Sequence, residues 1–183
     1  MTATLSITED QMFDAVWGFV SGLITGANVL KGFQNMTSTP LGSYIVVQPG
    51  IKQRANQGVR TYDPVALLQQ VERDSIYAYQ VDCYGPAGPD QADIVSIAWR
   101  SLWACDYFAG NLVTPTPGAP LPVTPLYADE PVQLNIVNGE LAYEQRFMLK
   151  LYLQANTVVS LPQDFYTGPI PVVTGPPVDD WPV

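Results

Sequence analysis

LAYEQRFMLKLYLQANTVVSLPQDF, Leu141 to Phe165, alternates apolar and polar residues over most of its length. Leu141, Tyr143, Phe147, Leu149, Leu151 and Leu153 share one parity, and Glu144, Arg146, Lys150, Gln154 and Asn156 share the other. A period of two is that of a β-strand with one face in a core. Its other face meets solvent or a neighbouring subunit. The strand spans Leu141–Val159, Pro162 stops it, and Asp164-Phe165 starts the chain on its way out. Gln154 and Asn156 are uncharged and polar, so they suit hydrogen bonding across an interface as well as they suit a binding site.

Asn138-Gly139, just before this strand, is a turn signal. Further upstream, Leu67 to Tyr84 lacks a helical stripe, whereas Val71, Tyr77, Tyr79, Val81 and Cys83 share a parity. This predicts a second long strand, with an irregularity near Arg73 to Ser75. Ser43 to Val47 is β-branched and aromatic, which predicts a strand, with Pro49-Gly50 as a turn or bulge.

Two helices are predicted. Thr8 and Gln11 form a capping box, and Phe13, Val16, Trp17, Val20 and Ile24 recur at helical spacing over residues 9–24. Pro89 and Asp90 open a second helix over 89–107, with Ile94, Ile97, Ala98 and Leu102 on its apolar face. The class is therefore α+β: a mixed or mainly antiparallel sheet with two main helices packed on it.

Proline sets two segments apart. Thr114 to Pro125 carries five prolines, which withhold backbone donors, and reads as an extended exposed loop or one laid on a partner. The last 22 residues hold six more without periodicity. As a polyproline-like arm they span roughly 68 Å, against roughly 39 Å across for a domain of this size. The division expected is a domain over 1–165 and an extended arm over 166–183.

Composition narrows the chemistry. The chain of 183 residues carries eight Lys plus Arg against 17 Asp plus Glu, a formal charge of −9, so it lacks the basic surface that grips nucleic-acid phosphates. It has no histidine, which removes Ser-His and Cys-His nucleophile systems and most catalytic zinc sites. Cys83 and Cys105 lack Cys-x-x-Cys spacing and read as two buried free thiols, with neither metal nor cofactor implied. The acidic neighbours Asp129-Glu130 and Asp179-Asp180 read as solvated charges rather than a glycosidase pair. Gly85 to Gly88 lacks the lysine and spacing of a phosphate loop. The N-terminal residues read as neither a signal peptide nor a membrane span.

Only 14% of the residues are charged, against roughly 25% in an average globular protein. With the two proline-rich segments and strand faces that are polar but not strongly charged, this favours packing into an assembly. The rival reading is a monomeric surface carbohydrate-binding module or glycosidase, for which Trp99, Trp103 and the tyrosines would supply an aromatic platform. Core packing on the second helix is the plainer account of those tryptophans.

NVLKGFQNMTSTPLGSYIVVQP (28–49) and PLYADEPVQLNIVNGELAYEQRFMLKLYLQANTVVSLPQDF (125–165), with the helix between them, resemble the neck or tail-terminator proteins of long-tailed bacteriophages. The resemblance covers about residues 7–166 and leaves the proline-rich tail aside. It implies structural rather than catalytic roles for Gln34, Asn35, Pro49, Tyr127, Asn138, Gly139, Glu140, Arg146, Gln154, Asn156, Pro162, Asp164 and Phe165. Tyr166, Pro176 and Trp181 are candidate contacts of the arm. The implied protein is a virion component at the head-proximal end of the tail, assembled in the host cytoplasm. It forms a ring, typically of six subunits, that stops the tail tube and docks to the head connector. DNA only passes through, and no membrane is involved. Another connector or tail-completion subunit is the alternative within the same setting.

Overall fold

The computed structural model describes residues 2–33, 40–111, 123–137 and 143–164. The chain begins with β1 (Thr4–Leu5), α1 (Glu9–Leu23), β2 (Asn28–Lys31), β3 (Tyr44–Arg54), β4 (Val59–Asp63) and β5 (Leu68–Tyr84). There follow α2 (Gly88–Trp99), α3 (Leu102–Asn111), β6 (Val123–Ala128), β7 (Val132–Val137) and β8 (Tyr143–Pro162). The two long strands expected from parity, β5 and β8, pair antiparallel from Leu68↔Pro162 to Tyr84↔Arg146 and form the spine of one sheet. β3 and β4 flank β5, while β1, β6 and β7 share the other edge of β8. β2 lies parallel to β3, so the sheet is mixed.

Parity sorts the faces. The buried apolar cluster takes Tyr77, Tyr79, Val81 and Cys83 from β5 and Leu149, Leu151, Leu153 and Ala155 from β8, all odd-numbered. Onto that inner face α1 sets Met12, Val16, Phe19 and Val20, α2 sets Ala92, Val95 and Trp99, and α3 sets Ala104 and Phe108. Aromatic edges lock the joint: Phe19 meets Trp99 at 5.3 Å and 90°, and Trp99 meets Phe108 at 5.4 Å and 80°. The Trp99 indole N–H, which burial would otherwise leave unpaired, donates to the Tyr152 carbonyl at 3.2 Å.

The N-terminal helix starts as its sequence dictates. Thr8 accepts from the Gln11 amide at 3.2 Å, and the Gln11 side chain accepts from Thr8 N–H at 2.9 Å.

Four expectations need correction. The single helix over 89–107 is two, broken at Arg100-Ser101, where Ser101 N–H bonds back to Ala98 O at 3.1 Å. Arg100 leaves the helical path to grip the strands, pairing with Glu130 and donating to Ala128 O. The apolar face chosen for that helix is the wrong one. Gln91, Ala92, Val95, Ser96 and Trp99 face the core, whereas Ile97 is 72% and Leu102 75% exposed. The bulk of Trp99 sets the rotation, and the small residues on its stripe let the helix lie close to the sheet.

β5 has no irregularity at Arg73 to Ser75; its pairing with β8 runs on unbroken, with Asp74 held by Asn56. The register shift lies instead in β3, between Pro49 and Lys52, which face Tyr79 and Tyr77. Finally, the segment taken as a loop to Pro125 enters the sheet at Val123. Pro125 is buried opposite Leu153 and the register shifts just after it, consistent with proline's place on edge strands and at bulges. The rest of that segment, residues 114–122, lies outside the described residues.

Candidate assembly surfaces

The even-numbered residues of β5 and β8 form the outer face. At one end of it Asp82 is fully buried although it points away from the helices. Arg146, diagonally across on β8 opposite Tyr84, donates to Asp82 Oδ1 from Nε at 3.0 Å and pairs from Nη2 at 2.9 Å. Gln48 and Gln80 donate to Oδ2 at 2.9 and 2.8 Å. Both oxygens are satisfied, the condition under which a buried charge is tolerated. Beside this knot Tyr44 and Tyr84 stack at 4.5 Å, with Arg146 over the Tyr84 ring. Burial first, and the nearby Glu144 second, push the Tyr44 hydroxyl up to about 12.

Midway along the outer face the β3 bulge opens a groove of about 160 Å³. Ile51, Ile76, Ala78 and Tyr152 line it, with Gln53, Gln80 and Lys150 as polar members. Gly50 makes the close approach possible, since a Cβ there would lie 2.6 Å from the Ala78 carbonyl oxygen.

At the far end, β5 and β8 run past the helices. Leu68, Val71, Val158, Val159 and Leu161 are only half-buried there, and every residue of the edge strand β4 is exposed. On the opposite side of the molecule's sheet, the exposed flank of α2 and α3 shows Ile94, Ile97, Leu102 and Trp103. Trp99 is thus core, as the plainer reading held, but Trp103 is 47% exposed.

The residues singled out from sequence are dispersed over these surfaces rather than gathered in one cleft. Pro49 marks the bulge. Tyr127 stacks on Tyr152 at 4.3 Å. Arg146 belongs to the Asp82 knot, and Gln154 donates to Asn156 at 3.1 Å on the outer face. Pro162 ends β8 opposite Leu68, and Asp164 is exposed just beyond. Gln34, Asn35, Asn138, Gly139, Glu140, Phe165, Tyr166, Pro176 and Trp181 lie outside the described residues. Asp82, Gln48 and Gln80 were missed; an acid between Val81 and Cys83 in a long strand was the available signal.

Chemistry finds little here. Asp129 accepts from the Tyr152 hydroxyl at 3.3 Å and Glu130 pairs with Arg100 at 2.8 Å, so these neighbours point to separate structural partners. Both cysteines are free; Cys83 is buried and Cys105 half-buried. Burial, and then Asp82 next to it, push the Cys83 thiol up to about 12, so it is not a thiolate at neutral pH. Among the described residues no cluster of acids and cysteines could hold a metal ion, and no helix is long and apolar enough to cross a membrane.

The family model described as phage neck terminator protein matches residues 10–178, and the chain belongs to that family. The match runs beyond residue 166 and so takes in most of the proline-rich segment that the resemblance left aside. None of the curated proteins compared with the chain matches it.

Proposed function

We propose that this phage neck terminator closes into a ring, six subunits by the resemblance, which caps the head-proximal end of the tail tube and docks to the head connector. Membership of a structural neck family places the chain in the virion and gives it a tail-terminating, structural role. The ring and the joining of tube to connector go further. They are supported chiefly by one observation: among the described residues the molecule offers two unlike exposed surfaces, the β4 edge with the overhanging strands and the apolar flank of α2–α3. A heterologous contact that closes into a ring needs two such different, complementary surfaces on each subunit.

The proline-rich segment 166–183 serves in this reading as an arm to a neighbour, through Tyr166, Pro176 and Trp181. Gln154 and Asn156, Pro162 and Asp164 are the hand-over from domain to assembly contacts. Six copies carry 6 × −9, or −54, in formal charge. Acidic groups lining the lumen repel DNA from the wall and favour its passage.

The test is native mass spectrometry of the purified protein, alone and with tail tubes. Ring-sized species on tubes support the proposal. Binding to the portal adaptor without any affinity for tubes would favour the second reading, a connector or tail-completion subunit.

A further inference from the structure

We propose that the outer-face groove between the β3 bulge and the middle of β8 receives Val178–Val183, the C-terminal tip of a second copy of the chain; this rests on the oligomeric reading above. The groove's chemistry defines its ligand. Ile51, Ile76, Ala78 and the Tyr152 ring give apolar walls, and Gln53 gives an amide. Lys150 adds an ammonium that, like Arg54, Arg60 and Arg73, has no ion pair among the described residues, whereas Lys31, Lys52, Arg100 and Arg146 each have one.

The segment 165–183 matches that set. Its only charged side chains are Asp179 and Asp180, set between Pro176-Pro177-Val178 and Trp181-Pro182-Val183. Prolines keep such a chain from extending a sheet by hydrogen bonds, so it docks by side chains and carbonyls in an apolar groove with one aromatic wall, Tyr152. An ammonium at the groove then selects the acidic side chains of the segment, Asp179 and Asp180.

Direction assigns the tip to another copy. β8 passes the groove at Tyr152 and runs on to the far end of the sheet, where Gln163 N–H still donates to Leu67 O at 3.0 Å. By then the chain is roughly 36 Å past its own groove. Asp164 to Val183 adds twenty residues, enough for roughly 62 Å of extended chain. At Asp164 the chain is heading away from its own groove, and that length is enough to reach a neighbouring subunit without a reversal.

Paired single-cysteine variants of the full chain, in a Cys105→Ser background, test this. Ile51→Cys protein is mixed with Trp181→Cys protein, oxidised, and run on a non-reducing gel; Gln53→Cys serves as a second acceptor. A heterodimeric disulfide product is expected, reduced several-fold when the acceptor also carries Lys150→Glu. A yield no greater than with Asp93→Cys on α2 as acceptor would overturn the proposal. So would an intramolecular product in a chain bearing both cysteines with no heterodimer on mixing. Native mass spectrometry of the unmodified chain on tubes separates the two claims: rings without the cross-link sink the groove assignment alone, and monomers with neither sink both.

Discussion

Arg146 places two guanidinium nitrogens within 3.0 Å of a single oxygen of Asp82, a carboxylate with no exposed surface. The pair joins β8 to β5 at the end of the sheet where Gln48 of β3 also converges. Removing one partner of such a pair leaves a buried charge uncompensated, which typically costs 3–5 kcal/mol. Because Arg146 keeps some exposure and two amides remain on Asp82, Arg146→Ala is expected at the lower end, about 3 kcal/mol. Urea unfolding of the purified variant measures it.

Gly50 faces the Ala78 carbonyl at a distance no Cβ tolerates. Gly50→Ala must push the bulge away from β5, at about 1–3 kcal/mol. The same change distorts the groove, so the cross-linking yield from Ile51→Cys should fall in that variant.

Alkaline pH should unfold the protein through its stacked tyrosines. Burial raises the hydroxyls of Tyr44 and Tyr84, that of Tyr44 from 10.0 to about 12. Between those values the unfolded chain has lost protons that the folded chain retains, so stability falls as pH rises through this window. It is fully present below pH 10. Tyr44→Phe should flatten the decline in a denaturant series run from pH 9 to 12.

Trp99 and Ile97 lie two residues apart on α2 with opposite fates, 1% and 72% exposed. Trp99→Ala should cost about 3–5 kcal/mol of folding stability. Ile97→Asp should leave folding within about 0.5 kcal/mol but weaken ring formation. Thermal unfolding and native mass spectrometry on the same samples separate the two effects.

The long strands were legible because alternation over Leu141–Val159 and Leu67–Tyr84 is sustained, and one buried face writes that pattern directly. The capping box marked the first helix for a similar local reason. The rotation of α2 was not legible, because Ile94 and Ile97 make a better apolar stripe than Ala92, Val95 and Ser96, and the position of Trp99 in the core overrides it. β4 escaped notice because all five of its residues are exposed and carry no buried face. β6 was hidden by Pro122 and Pro125, which read as loop until its edge position is known. The groove depends on a register shift between strands, which no single strand encodes.

Whether copies of this chain close into a ring on the tail tube is read by native mass spectrometry of the protein incubated with purified tubes. A closed ring at the tube end, six subunits in mass, is the predicted result. A protein that stays monomeric and unbound in the presence of tubes would contradict it.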